Sequence, residues 1–272
     1  MRHVDTQPDW DKIAEKFDLW LPYLAPVGEA LLDALEARRG EVILDVAAGT
    51  GEPALSLVRR LRGNLVVEGV DAANGMVKVA QAKAKQEGWT NLRFSCMPAE
   101  RLDFPAHHFD RAMCRFGVML FDHPQKGLEE ILRVLKPGGR LVSAVWGPPA
   151  SMTTLYWAHL AFRDRLPEDK QPPLVKATSL GAPGILQGLL ETAGFTRCIV
   201  QYFDFHYRFS SFAEYWRLVE TSGIMKMQFD ALTPALLTVV REEIAGYAQA
   251  HMHEEQLIIP HQAVLATAYK PV

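Results

Sequence analysis

This chain has only three cysteines in 272 residues, Cys96, Cys114 and Cys198. They are too far apart to form a metal-ligand or redox pair. Cys96 and Cys114 fall in expected strands, and all three are read as free thiols, these two buried. There is no basic surplus. Lysine and arginine number 29 against 32 acidic residues, a formal net charge of −3, so nucleic acid is not expected as an obligatory partner. No repeat or low-complexity tract is visible. The N-terminal stretch "MRHVDTQPDWDKIAEKFDLW" carries charges throughout and has no apolar signal-like segment. The longest run without a charged residue lies between Arg140 and Arg163. Gly147, Pro148 and Pro149 interrupt it, so it suits no membrane-crossing helix. These absences lead to the expectation of a soluble, cytoplasmic protein without stable membrane insertion.

What is present is ordinary globular composition, 49% hydrophobic and 22% charged, enough for one large domain or two small ones. The first half alternates strands and helices. "EVILDVA" (41–47) is a buried parallel-type strand. A helix is expected over 52–62, with Pro53 in its first turn where a missing N–H costs nothing. Strands follow at 65–70, 91–96, 109–120 and 140–146. A helix closed by Gly88 separates the first two. Leu128, Ile131, Leu132 and Leu135 form one apolar helical face before "LKPGG". In the second half a helix is expected over 182–195. Residues 198–209 alternate Phe203, Phe205, Tyr207 and Phe209 against polar residues, as a two-faced strand does. Residues 211–253 read as helical, and 257–270 as a last strand in which Pro260 suggests a bulge or late start. Pro-rich 166–173 is a loop within a single domain spanning 1–272.

The stretch "VILDVAAGTGEPAL" (42–55) raises the first chemical question. Gly49, Gly51 and Ala54 fit a phosphate-cradle pattern, and Asp71 ends the next strand 22 positions after Gly49, placed to accept from ribose hydroxyls. By spacing alone a nicotinamide dinucleotide and S-adenosylmethionine fit equally well. Charge separates them. Asp45 precedes the glycines, Glu52 follows them, and Pro53 removes one donor, so a pyrophosphate would meet carboxylates instead of free N–H groups. Two unit charges about 5 Å apart at an effective dielectric near 20 interact by roughly 3 kcal/mol. The same carboxylates suit a cationic ligand, although Glu52 alone is also explained as a helix N-terminal stabiliser.

Four ordered motifs, "LDVAAGTGEPAL", "VEGVDAANGMVKVAQ", "PAERLDFPAHHFDRAMCRFGVMLF" and "ILRVLKPGGRLVSAVWGP", resemble class I S-adenosylmethionine-dependent methyltransferases. They are similar to the small-molecule enzymes of ubiquinone and menaquinone biosynthesis. The resemblance covers about residues 10–150. It implies a Rossmann-like α/β fold, a seven-stranded mostly parallel sheet of order 3-2-1-4-5-7-6 with helices on both faces and a helical lid. It implies S-adenosyl-L-methionine as cofactor and S-adenosyl-L-homocysteine as product. Asp45, Ala47, Gly49 and Gly51 would surround the methionine moiety and Asp71 would hold the ribose. Ala72 and Met76 would flank the adenine, with Ala99 and Glu100 at its edge. Arg115 and Phe116 would line the transfer region, and Phe17 would close over the cofactor. Ala47 departs from the family pattern by replacing a glycine, and Pro98 by replacing an aspartate, which weakens the adenine-edge assignment.

Segments 1–25, 150–178 and 211–253 are the expected lid and substrate-binding additions. Phe212, Tyr215, Trp216, Met225, Met227 and Phe229, with Tyr156 and Trp157, could line an apolar chamber for a small hydrophobic or aromatic acceptor; packing within a helical cap is the better explanation for most of them. His123, His159, His206 and His261 are candidate bases, and each is also explained as a surface or structural histidine, so no catalytic residue is named. His107 and His108 are read as solvated. A non-catalytic S-adenosylmethionine-binding or regulatory protein, and a nicotinamide-dependent oxidoreductase, stay open as alternatives. No metal site is expected, and the sequence leaves the oligomeric state open.

Overall fold

The computed structural model describes residues 8–272. Helix α1 (Trp10–Phe17) begins where the Asp9 carboxylate accepts the Lys12 N–H at 3.2 Å. A short 3-10 turn leads from it into α2 (Leu21–Leu35). The alternating half follows: β1 (Val42–Val46), α3 (Ala54–Arg60), β2 (Val66–Asp71), α4 (Asn74–Gln86), β3 (Leu92–Cys96) and β4 (Phe109–Arg115), then α5 (Pro124–Val134) and β5 (Leu135–Trp146). In β1, Ile43, Leu44 and Val46 are buried, as a strand covered on both faces requires.

Beyond β5 come α6 (Thr153–Phe162), α7 (Leu174–Ala177), α8 (Ile185–Thr192) and β6 (Thr196–Phe209). The expected helical region divides into α9 (Phe212–Ser222), α10 (Lys226–Asp230) and α11 (Pro234–Gln249). Ser211 caps α9 by accepting the Glu214 N–H, and Thr233 caps α11, whose first residue is Pro234. The region closes in a strand rather than a helix: β7 (Met252–His253) pairs with the start of β8 (Gln256–Tyr269).

The sheet order is β3-β2-β1-β4-β5-β8-β6. The first five strands are parallel, and β8 is inserted antiparallel between β5 and β6. This is the expected Rossmann-like order with one two-residue strand added, so the final strand becomes the eighth. Parallel neighbours on each side of β1 place a crevice beyond the carboxyl ends of β1 and β4.

Five local expectations change. Leu135, read as part of the apolar helical face, and the "LKPGG" read as the helix end open strand β5 instead. Helix α3 starts at Ala54, with Pro53 as its cap instead of inside its first turn. Strand β4 stops at Arg115 because Phe116 turns to φ +58°. Pro260 causes no bulge, standing opposite His206 in unbroken register; β8 has β6 alone as a strand partner there, since pairing with β5 begins at Ala263. Cys96 is exposed and Cys198 half-buried; Cys114 is the buried thiol. Among the described residues, no helix is long and apolar enough to cross a membrane.

Candidate functional site

A cavity of about 520 Å³ opens over the carboxyl ends of the parallel strands. The last residues of β2, β4 and β5, which are Asp71, Arg115 and Trp146, all stand on its wall. Ten of the twelve sequence-derived residues line it: Phe17, Ala47, Gly49, Asp71, Ala72, Met76, Ala99, Glu100, Arg115 and Phe116. Asp45 and Gly51 do not. Asp45 is the penultimate residue of β1, so it stays beneath the floor that the strand ends create. At Gly51 an added Cβ would meet Leu55, Phe94 and Ala80 at 3.1–3.3 Å, so that position faces the core.

Asp71 organises the crevice. Its Oδ2 accepts the Gly49 N–H and its Oδ1 the Ala73 N–H, both at 2.9 Å. Burial raises its pKa while these two donors oppose the rise. Each oxygen keeps a lone pair for a further donor.

The glycine loop has few donors to spare. The Gly49 N–H goes to Asp71, Gly51 N–H to Ala48 O at 2.9 Å, and Ala48 N–H to Val70 O at 3.0 Å. At the start of α3, Pro53 has no N–H, and the Glu52 carboxylate accepts from Ser56 N–H at 3.1 Å. Glu52 also pairs with Arg59 at 2.8 Å. Its carboxylate is therefore used along its own helix.

Asp45 is fully buried, and neither of its oxygens has a hydrogen-bond partner. Desolvation pushes its pKa up to about 8, against the favourable field of Arg115. The Arg115 guanidinium donates to Glu52 O at 2.9 Å. Desolvation lowers its pKa, opposed by Asp45 and Glu52.

The backbone turns sharply on both sides of the switch point. Ala47 at φ +55° and Phe116 at φ +58° are left-handed non-glycine residues. Gly117 lets them approach, since a Cβ there would lie 2.5 Å from the Ala47 Cβ and 2.7 Å from Cys114 Sγ. Phe116 stacks on Trp146 with centroids 4.0 Å apart.

The N-terminal helices form one wall. Asp18 accepts from Thr50 Oγ1 and pairs with Lys83, each at 2.6 Å, and Lys83 also donates to Thr50 O at 2.9 Å. Asp11 receives the Gly75 N–H at 2.5 Å, serving the start of α4 from α1. Trp10, Asp11, Phe17, Trp20 and Leu24 reach the cavity. The part of the expected 1–25 cover within residues 1–7 lies outside the described residues.

The other two expected additions also supply wall residues, Met152 to Ala177 from one and Tyr215 to Ile244 from the other. Tyr215, Trp216, Met225 and Phe229 line the cavity; Phe212, Met227, Tyr156 and Trp157 do not. Trp157 packs instead on Tyr215 and His251, and Phe212 on Trp216. None of the histidines weighed as bases is on the wall. His107, His123 and His206 are exposed, and His108 and His159 half-buried. His261 is buried behind the wall.

Sequence reasoning missed Trp146, Tyr207 and Thr154 on this wall. Trp146 had a signal, as the last residue of an expected parallel strand. Tyr207 had another, on the apolar face of the alternating strand that became β6. Thr154 had none.

Residues 28–162 match the model of the ubiE/COQ5 methyltransferase family. The ubiquinone/menaquinone biosynthesis C-methyltransferase UbiE of Geobacter sulfurreducens is 36% identical over 113 residues, 41% of this chain and 44% of that protein. Demethylmenaquinone methyltransferase of Thermus thermophilus is 38% identical over 146 residues, 52% of this chain and 65% of its own length. The matched stretch thus spans about half the length of these curated relatives. The crystal structure of YcgJ from Bacillus subtilis superposes with a TM-score of 0.64 at 20% identity, over 90% of this chain and 98% of that one.

Proposed function

We propose that this chain, of the class I S-adenosylmethionine-dependent methyltransferase kind and similar to the ubiE/COQ5 family over residues 28–162, transfers a methyl group to a small apolar or aromatic acceptor. The observation that carries this reading is the pairing of a donor-poor glycine loop with the oriented carboxylate of Asp71. A pyrophosphate needs free N–H groups at a helix start, and here the N–H groups of Ala48, Gly49, Gly51 and Ser56 already serve Val70, Asp71, Ala48 and Glu52. This counts against a nicotinamide dinucleotide. A ribose diol asks the opposite, acceptors that are fixed and partly free, as the Asp71 oxygens are.

The residues present fit S-adenosylmethionine. Asp71 would hold the ribose, Ala72 and Met76 would flank the base, and Ala99 and Glu100 would stand at its edge. One Glu100 oxygen already accepts the His123 N–H at 3.0 Å, which leaves the other for a ligand amino group. Asp45, buried under the floor and protonated near neutral pH, would supply negative potential toward an ammonium once the ligand draws off its proton. When bound, the cofactor supplies an electrophilic methyl group on a sulfonium.

The chain's own work is enclosure and alignment. Phe116, Trp146, Tyr207 and Tyr215 give an aromatic chamber that keeps water from the transfer region. Burial raises the pKa of both tyrosines, so they keep their protons. Among the described residues no imidazole lines the chamber, and what the wall contributes is orientation.

Isothermal calorimetry with S-adenosylhomocysteine and with NAD tests the cofactor, and preferential NAD binding would sink the reading. A labelled-methyl screen over phenols, amines and quinols tests the transfer. Tight cofactor binding with no labelled product would favour a non-catalytic binding protein.

A further inference from the structure

The aromatic chamber contains one hydroxyl whose proton is already committed. Thr154, in the first turn of α6, lines the cavity. Its Oγ1 lies 3.0 Å from His261 Nε2, and its backbone N–H donates to the same nitrogen at 3.4 Å. On the other side of the ring, Nδ1 lies 3.2 Å from the carbonyl oxygen of Ile259.

These three contacts fix the directions of the protons. A backbone carbonyl can only accept, so Nδ1 carries the ring hydrogen. A backbone N–H can only donate, so Nε2 is the lone-pair nitrogen. The Thr154 hydroxyl then donates to Nε2 as the shorter of two donors sharing its one lone pair, which leaves the threonine oxygen as an acceptor on the cavity wall. His261 is buried at 3% exposure, and its ring stacks on Tyr207 with centroids 4.0 Å apart. Desolvation pushes its pKa down to about 3, so the neutral tautomer persists across the working pH range. Imidazole thus serves two ends: it accepts an orphan N–H of the α6 start and sets the polarity of the neighbouring hydroxyl.

We propose that Thr154, polarised by His261, is a specificity residue that accepts a hydrogen bond from a hydroxyl on an aromatic acceptor. This inference rests on the chamber being the acceptor's seat. The aromatic ring is called for by Phe116, Trp146 and Tyr207 on the same wall. A hydroxyl-bearing ring would satisfy the oxygen of Thr154, and an ether of the same shape would leave it desolvated and unpaired.

The test uses 2-naphthol and 2-methoxynaphthalene as matched probes. Their binding to wild type, Thr154→Val and Thr154→Ser is measured by calorimetry, with and without saturating S-adenosylhomocysteine. Wild type should prefer the naphthol by about ten-fold, the margin of one well-formed hydrogen bond. Thr154→Val should bring the two probes to near parity while binding the ether as wild type does, and Thr154→Ser should keep the preference. Valine is isosteric and retains the backbone N–H on His261, so the fold is not at stake. Equal binding of the probes by wild type, retained preference in Thr154→Val, or an equal loss of both probes in that variant overturns the proposal. Failure of all three proteins to bind S-adenosylhomocysteine would instead overturn the methyltransferase reading, while the preference is still read on the proteins alone.

Discussion

The carboxylate of Asp71, at the end of β2, accepts the backbone N–H of Gly49 from the loop after β1 at 2.9 Å. The two residues are 22 apart in sequence, and this bond fixes the shape of the loop before any ligand arrives. Asp71 therefore has a structural duty as well as its proposed ribose contact. Asp71→Ala leaves the N–H groups of Gly49 and Ala73 without acceptors and should cost about 1–3 kcal/mol of stability. It should also abolish the thermal shift that S-adenosylhomocysteine produces, which in wild type should be roughly 2.7 kcal/mol at a hundred times the dissociation constant. Asp71→Asn, which keeps an acceptor for one of the two N–H groups and sets a donor against the other, should recover only part of the stability and little of the ligand response. An unchanged ligand response in Asp71→Ala would remove this residue from the site.

Asp45 predicts an unusual pH profile. Its folded-state pKa is pushed up to about 8 from an ordinary value of 3.8. Between those values the folded chain holds a proton that the unfolded chain has released, so this residue's contribution to stability falls as pH rises through that window. Asp45→Asn should flatten the slope of stability between about pH 4 and about pH 8 and be the more stable protein at the alkaline end. Urea denaturation across the window measures it, and an identical slope in the variant would refute it. If a ligand ammonium draws Asp45 into its ionised form, S-adenosylhomocysteine binding near neutral pH should release a proton. Calorimetry in buffers of different ionisation enthalpy would detect the release, and Asp45→Asn should abolish it.

The contrast between Asp45 and Asp71 shows what the sequence could and could not reveal. The parallel half was legible because its strands are continuous apolar runs separated by helices with clear stop signals. Asp71 was legible as the last residue of its strand, where side chains emerge into the crevice. Asp45 resembled it in sequence, but one more residue of β1 follows it, and that single position puts it under the floor. The alternating aromatic pattern identified β6 as a two-faced strand, yet only the antiparallel insertion of β8 brings Tyr207 and His261 together. Within the helical additions, aromatic content alone could not separate wall residues from packing residues. Tyr215 and Trp157 contact each other, and only Tyr215 reaches the cavity. Thr154 was illegible because its meaning depends on a histidine 107 residues away.

Gly117 and Ala47 form a coupled pair. Gly117→Ala would force a Cβ to within 2.5 Å of the Ala47 Cβ and 2.7 Å of Cys114 Sγ, and overpacking of this kind costs about 1–3 kcal/mol. Ala47→Gly alone relieves a left-handed alanine, a strain of roughly 1–2 kcal/mol. Part of that gain is offset by the extra freedom of glycine in the unfolded chain, about 0.4–1 kcal/mol. The single variant Ala47→Gly should therefore be slightly stabilised, and the double variant should recover part of what Gly117→Ala loses. A double-mutant cycle by urea denaturation reads the coupling. Strict additivity would mean that the two positions do not compete for the same space.

Asp18 gives the last prediction, which concerns the cover instead of the floor. It joins the segment carrying Phe17 to the glycine loop through Thr50 and to α4 through Lys83, and a Cβ placed on Gly49 would lie 4.0 Å from the Phe17 ring. Phe17 reaches the cavity, so whatever holds this segment down also governs how long a ligand stays. Asp18→Asn removes the ion pair and weakens a hydrogen bond at a half-exposed site, a loss of about 0.5–1.5 kcal/mol. The floor contacts from Asp71 are untouched, so most of the effect should fall on the dissociation rate, as is usual for changes within one interface. S-adenosylhomocysteine should leave roughly three- to ten-fold faster, with a smaller dependence on salt than in wild type because one screened pair is gone. Stopped-flow displacement at low and high salt measures both quantities. An unchanged dissociation rate would mean that the Asp18 cluster stabilises the N-terminal helices without gating the cavity.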